Sequence, residues 1–305
     1  MRGQGGGNRG FGLPGGFGLP GGSGSGSGGG GSAIPAGGGI GVVVLLVIIV
    51  VVMFVMNGGL SGGNQASTDS GLQPGQQVGQ DTLQQECVTG EDANERLDCR
   101  IVGYVNSVQE YWGNDGGAAA AGTTYREAVT TIFDGTIDTG CGQATSEVGP
   151  FYCPNDQKVY LDLAFYDVLE QLGADNAPLA QAYVIAHEYG HHIQNLTGVL
   201  ERARDSETGP QSNGVRVELQ ADCYAGVWVG NSVATGYLEP ITDAQITDAL
   251  EAARAVGDDR IQQQTQGQVN QETWTHGSSA QRQSWFTTGY RAADPTACDT
   301  FSGNV

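Results

Sequence analysis

The sequence is poor in positive charge. The 305 residues include a single lysine, Lys158, and four histidines. Residues 57–305 carry 33 acidic side chains against 11 basic ones, a net charge of −22, and no acidic residue comes before residue 57. Binding to nucleic acid needs clustered Lys and Arg that contact phosphates. We therefore expect no nucleic-acid partner.

The first 80 residues divide into three segments by composition. Residues 1–39 are mostly glycine with scattered serine and proline, which predicts a disordered tail. Residues 40–56 form an uncharged apolar run of seventeen, which with its Ala-Gly leader reaches the roughly 20 residues of a membrane-spanning helix. A cleaved signal peptide is the alternative, but the long preceding tail and the length of the run favour a retained signal anchor. Residues 57–80 are a polar, Gly-, Gln- and Ser-rich linker.

The charges around the apolar run predict its orientation. Arg2 and Arg9 precede it, and all the acidic residues follow it. Positive flanks stay in the cytoplasm, so we expect a single-pass protein of the cell membrane with a cytoplasmic N-terminus. The lipid bilayer is then one partner, and residues 81–305 form one extracytoplasmic domain.

The cysteines contain no C-x-x-C pair, which argues against a structural metal knuckle. All six follow the apolar run, and an even number there is compatible with disulfides in an oxidising compartment. Their spacing suggests two local bridges and one long one, although other connectivities stay open. The suggested pairs are Cys87 with Cys99, Cys141 with Cys153, and Cys223 with Cys298.

The domain has mainly helical patterns and one clear strand, which predicts the α+β class with a small sheet. Residues 158–163 (KVYLDL) alternate apolar and polar side chains, as a half-buried strand does. Such a strand could bind an extended peptide at a sheet edge, or simply flank a helix. Helices are expected over 164–172, from Pro178 onward, over 213–234, over 242–257 and from Ser278 onward.

Three of the four histidines lie in VIAHEYGHHIQ, residues 184–194. His187 and His191 are four residues apart, so on a helix both imidazoles face one point and can bind one metal ion. Glu188 is rotated by about a quarter turn, where it is better placed to act as a general base than as a ligand. His192 is expected to pack rather than to bind, because a fourth protein ligand would close the reactive position of such a site.

A zinc ion at this helix needs a third protein ligand. Glu218 and Asp222 share a face of the next long helical pattern, and burying both would be costly without a nearby cation. Arg216 points to another side of that helix. We therefore expect Glu218 as the ligand, in preference to His276, and Asp222 as the acceptor for the free N–H of a histidine.

These segments resemble the neutral zinc metallopeptidase family of bacterial membrane-anchored proteins. The resemblance rests on VIAHEYGHHIQ, on residues 216–228 (RVELQADCYAGVW) and on residues 140–169, and it extends to residues 257–267 and 275–290. It implies a zinc-dependent, zincin-like peptidase of the gluzincin type, but it does not identify a substrate. We expect one Zn²⁺ per chain and a peptide or protein as the partner that is cleaved. The implied roles are His187, His191 and Glu218 as ligands and Glu188 as base.

Hydrolysis would also need a donor that stabilises the developing oxyanion. His276, expected in a flexible loop just before a helix, is the first candidate, with Tyr160 and Tyr224 as alternatives. Two other classes of function stay open: a catalytically silent, zinc-stabilised envelope interaction module, and a non-peptidase hydrolase or zinc carrier. Glu188 favours catalysis, because a structural zinc site needs no base.

Overall fold

A computed structural model describes residues 83, 85–114 and 116–305. The predicted tail (1–39), membrane anchor (40–56) and linker (57–80) lie outside the described residues. Among the residues that are described, no helix has both the length and the apolar character needed to span a bilayer. The membrane anchor therefore stays a prediction.

The described part of the chain is mainly helical with a small sheet, as the sequence predicts. The helices are α1 (Gly90–Glu95), α2 (Leu97–Gly113), α3 (Gly117–Ala120), α4 (Phe165–Gln171), α5 (Pro178–Leu196), α6 (Val199–Arg202), α7 (Asn213–Asn231), α8 (Asp243–Ala255), α9 (Asp258–Gln266) and α10 (Ser279–Ala292). The strands are β1 (Val129–Phe133), β2 (Thr136–Thr139), β3 (Gly142–Thr145), β4 (Phe151–Cys153) and β5 (Lys158–Asp162).

The long helices begin where the sequence places their caps. Pro178 occupies the first turn of α5, where its missing N–H costs nothing. Capping boxes start α8 at Thr242 and α10 at Ser278. One difference from the prediction lies at Gly257, where the predicted helix ends. A further helix, α9, follows at once, and Gly257 is the N-cap of α9.

The strand KVYLDL differs from its prediction. β5 is the central strand of the order β1-β5-β4, parallel to β1 and antiparallel to β4. Its residues from Val159 to Asp162 are all buried, so the strand is covered on both faces rather than half-buried. Because both edges are paired, KVYLDL cannot bind an extended peptide as an edge strand, and of the two expected roles only that of a strand flanking a helix remains.

The core is built around α5 and α7, which cross closely at a glycine. A Cβ placed on Gly190 of α5 would lie 3.0 Å from both Cα and the carbonyl oxygen of Ala221 on α7. A glycine inside a helix costs about 1 kcal/mol relative to alanine, and this close approach is what requires it here. α10 packs on the other side of α7, where a Cβ on Gly289 would collide with the carbonyl of Cys223. These contacts fix α7 between its two neighbours.

Three disulfides join the cysteines in the pairs that their spacing suggests. Two are local bridges, and the third crosses 75 residues to tie the C-terminal segment to α7. The bridges are Cys87–Cys99, Cys141–Cys153 and Cys223–Cys298.

Candidate metal centre

Two histidines of α5 and one glutamate of α7 converge at the crossing of these helices. The rings of His187 and His191 have centroids 4.8 Å apart, one helical turn from each other. Glu218 Oε2 lies 3.2 Å from His187 Nε2, and Oε1 lies 3.6 Å from His191 Nε2. One ligand atom from each of the three residues lies within 4.8 Å of the other two. Two imidazoles and one carboxylate are the donor set of a catalytic zinc site, so these residues fit the ion that the sequence implies.

Asp222 holds the far nitrogen of His187, as the sequence predicts for this residue. Its Oδ1 lies 2.9 Å from His187 Nδ1 and accepts a hydrogen bond of 2.6 Å from the hydroxyl of Tyr183. Such a carboxylate fixes the tautomer of the histidine and leaves Nε2 free for a metal ion.

Arg282 is a residue of the site that the sequence reasoning missed. It extends from α10 and donates to both oxygens of Asp222, from Nε at 2.8 Å and from Nη2 at 3.0 Å. Part of the positive charge that this carboxylate pair requires therefore comes from another helix, which the sequence argument did not consider. Arg216 does point elsewhere, towards the carbonyl of Thr300. The sequence does contain a sign that Arg282 is buried. It lies on the same helical face as Phe286 and Gly289, which are both buried.

The buried carboxylates give the site a strong preference for a positive charge. Burial alone lowers the pKa of His187, but Asp222 and Glu218 outweigh it and raise that pKa to about 10. Burial alone raises the pKa of Glu218, but His191, His187 and His276 outweigh it and hold the pKa well below its ordinary range. A cation and a proton therefore compete for His187, and metal binding would release the proton.

Glu188 is buried beside the ligands. Burial, together with the charge of Glu218, raises its pKa to about 8, while His187 and the backbone N–H of Tyr152 act in the opposite direction. Its carboxyl group can thus gain or lose a proton near neutral pH, as a general acid and base must.

His276 is buried and fixed, and does not lie in a flexible loop. The side chain of Asp258 accepts from its backbone N–H at 2.7 Å and lies 3.2 Å from its Nδ1. Its Nε2 is buried without a hydrogen-bond partner among the described residues. Burial alone lowers the pKa of His276, but the hydrogen bond and charge of Asp258, together with the charge of Glu218, outweigh it and raise that pKa. Asp258 was also missed by the sequence reasoning.

The other candidates point away from the centre. The hydroxyl of Tyr160 donates to Asp156, and Tyr224 lines a separate cavity of about 550 Å³ that also contains Cys298. Both ring nitrogens of His192 are engaged, one with the hydroxyl of Tyr152 and the other with a backbone carbonyl. The expectation that His192 packs instead of binding metal agrees with these contacts.

The chain is similar in sequence to known bacterial proteins. The chain belongs to the family described as "Putative neutral zinc metallopeptidase", whose model matches residues 20–301. It is 53% identical over 225 residues to the uncharacterized protein Rv2575 of Mycobacterium tuberculosis, covering 71% of this chain and 75% of that protein. It is 41% identical over 242 residues to the uncharacterized protein YpfJ of Escherichia coli K12, covering 77% and 81%. No solved structure matches. The family resemblance is thus confirmed, and the family name suggests a zinc metallopeptidase.

Proposed function

We propose that this protein is a zinc-dependent peptidase with one Zn²⁺ per chain, anchored in the cell membrane by residues 40–56 and exposed outside the cytoplasm. The observation that carries the proposal is the convergence of His187, His191 and Glu218 within 4.8 Å, with the Glu188 carboxyl group buried beside them. Two imidazoles, one carboxylate and an adjacent base are what metal-assisted hydrolysis requires.

The three ligand residues would hold the ion, and zinc bound there supplies the Lewis acidity that polarises a carbonyl and activates water. Glu188 accepts the proton of the attacking water and passes it to the leaving amine. Burial raises the pKa of Glu188, which favours the uptake of a proton by this carboxylate.

His276 provides a hydrogen bond to the carbonyl oxygen as that atom gains negative charge. Its Nε2 has no other partner in the part of the chain that the structure describes, and Asp258 engages Nδ1 on the opposite side of the ring. Although burial lowers the pKa of His276, Asp258 raises it, which favours the protonated ring, in which Nε2 carries a hydrogen that it can donate. Tyr160 and Tyr224 do not suit this role, because the hydroxyl of Tyr160 donates to Asp156 and Tyr224 lines the separate cavity.

The test is Glu188→Gln in the purified full-length chain. The variant should keep about one zinc per chain by elemental analysis but lose hydrolysis of an unfolded protein substrate by about 10²-fold or more, since the base is gone. Glu170→Gln, an exposed glutamate of α4, is the matched control and should keep both properties.

Two outcomes would contradict parts of the proposal. Retained hydrolysis in Glu188→Gln would remove Glu188 as the base. A wild-type chain that binds zinc but cleaves none of a broad set of peptides would favour the alternative, a catalytically silent interaction module.

A further inference from the structure

The second ligand histidine is held differently from the first. His187 is held by the charged Asp222, whereas His191 Nδ1 lies 2.8 Å from Oε1 of Gln194, a neutral and fully buried side chain one turn along α5. The role of this glutamine depends on which way its amide group faces, and the surrounding hydrogen bonds determine that.

The amide of Gln194 can face only one way. Its Nε2 lies 2.7 Å from the carbonyl oxygen of Val217, which can only accept a hydrogen bond. The other end of the amide, Oε1, can itself only accept, so Nδ1 of His191 must be the donor. The proton therefore sits on Nδ1, and Nε2, which faces Glu218, keeps its lone pair.

A second buried glutamine extends this arrangement. Gln194 Nε2 also donates to Gln220 Oε1 at 3.2 Å, and Gln220 Nε2 donates to the carbonyl oxygen of Cys298 at 2.9 Å. Each donor in this series of hydrogen bonds points away from the metal centre. The series ends at Cys298, which a disulfide to Cys223 ties to α7. The C-terminal segment thus fixes the orientation of the Gln220 amide, which adds to the hold of Val217 on Gln194.

We propose that Gln194 and Gln220 are positioning residues that hold His191 in the Nδ1–H tautomer and so present its Nε2 to the metal ion. The inference rests on the proposed zinc site, but the tautomer itself can be measured without metal. A neutral acceptor orients the ring without adding charge to a site that already contains Glu218 and Asp222.

The first experiment is a ¹H–¹⁵N NMR spectrum of the histidine rings of the metal-free full-length chain at pH about 8, above the ordinary imidazole pKa of about 6.5. With four histidines in the chain, the ring signals are few and each can be assigned. His191 should show the Nδ1–H tautomer, and Gln194→Met should lose this preference. An Nε2–H tautomer in the wild type would overturn the proposal.

The second experiment is zinc affinity by competition with a chromophoric chelator. Gln194→Met should bind zinc about 10- to 100-fold more weakly, as other changes next to ligand histidines do. The control is Gln181→Met, another buried glutamine of α5 whose amide bonds Arg100 and Asn176 instead. Equal losses in Gln194→Met and Gln181→Met would overturn the proposal.

Gln220→Met provides a milder variant in case Gln194→Met does not fold. It leaves the bond from Gln194 to Val217 in place, so it should weaken zinc binding less than Gln194→Met but more than Gln181→Met; unchanged affinity would count against Gln220. If the wild-type chain binds no zinc, the proposed function fails, and the tautomer in wild type and Gln194→Met alone decides the role of Gln194.

Discussion

Arg282 is the residue that neutralises the buried acidic side of the metal centre. Asp222 is fully buried, and its two oxygens receive hydrogen bonds from Arg282, Tyr183 and His187. Of these partners only Arg282 carries a permanent charge, because the ligand role of His187 requires a neutral ring. Removing one partner of a buried ion pair leaves the other charge uncompensated, which costs more than the pair contributes.

We therefore expect Arg282→Met to lower the free energy of unfolding by about 3–5 kcal/mol. Urea denaturation of the full-length chain measures the change. Arg291→Met, an exposed arginine on the same helix, should change it by less than about 0.5 kcal/mol. Equal effects of the two substitutions would show that Arg282 does not act through Asp222.

Asp258 organises the segment that carries His276. One of its oxygens accepts the backbone N–H groups of Thr275, His276 and Gly277. Burial alone raises the pKa of Asp258, but the hydrogen bonds and charge of His276 and these backbone donors outweigh it and hold the pKa below its ordinary value of 3.8. A group whose pKa is lowered by folding stabilises the fold above its unfolded pKa, and this contribution disappears as the pH falls through the folded pKa.

Asp258→Asn keeps an acceptor oxygen and removes the charge. At pH 7 the variant should unfold more easily by about 1.5–3 kcal/mol, the range for hydrogen bonds to a charged group. The difference from wild type should shrink as the pH falls below about 4. Urea denaturation at several pH values measures it, and the exposed Asp243→Asn is the control. A difference that is the same at every pH would contradict the charge argument.

The site residues that could be predicted from sequence are those joined by local spacing. His187 with His191 and Glu218 with Asp222 are four residues apart, so helical periodicity alone places each pair on one face. Arg282 reaches the site from α10, and no local rule connects it to the other helices. Gln194 lies within the predicted motif, yet its role depends on a carbonyl of α7 and so needed the tertiary structure.

At the scale of elements, helix starts were predicted better than strand neighbours. A capping box is a local interaction, so Thr242 and Ser278 identify the starts of α8 and α10 from sequence. The burial of β5 depends on what covers the second face of the sheet, and the alternation of the strand's own residues does not encode that. This is why KVYLDL was expected to be half-buried.

The crossing of α5 and α7 is the element contact on which the metal centre depends. We expect Gly190→Ala to weaken zinc binding and to destabilise the fold by about 1–3 kcal/mol, because the added methyl group would press on the backbone of Ala221. The cost of this overpacking outweighs the gain of about 1 kcal/mol that alanine brings in helix propensity. Chelator competition and urea denaturation measure the two effects.

Gly214→Ala is the matched control for this substitution. Gly214 lies in the first turn of α7, and a Cβ there would come no closer than 3.6 Å to any neighbouring atom. It should cost no stability and leave zinc affinity unchanged. If Gly190→Ala behaves in the same way, the close approach of the two helices is not what sets the metal geometry.

At the scale of the whole molecule, the distribution of disulfides and charges bears on where the domain works. All six cysteines form bridges, and such bridges persist in oxidising compartments. The acidic excess lies entirely after residue 57, and Arg2 and Arg9 lie before the apolar run. Both features support the proposed orientation, with the domain outside the cytoplasm.

The single lysine makes this orientation measurable. Lys158 is partly exposed at the start of β5, so apart from the N-terminal amine it is the one site for an amine reagent. In cells with an intact plasma membrane, a membrane-impermeant reagent should modify Lys158 and leave the N-terminal amine unmodified, as mass spectrometry of the recovered chain would show. After lysis it should modify both, which controls for reactivity. Labelling of the N-terminus alone in intact cells would reverse the topology, and would place three disulfides in a reducing compartment, where such bridges are rare.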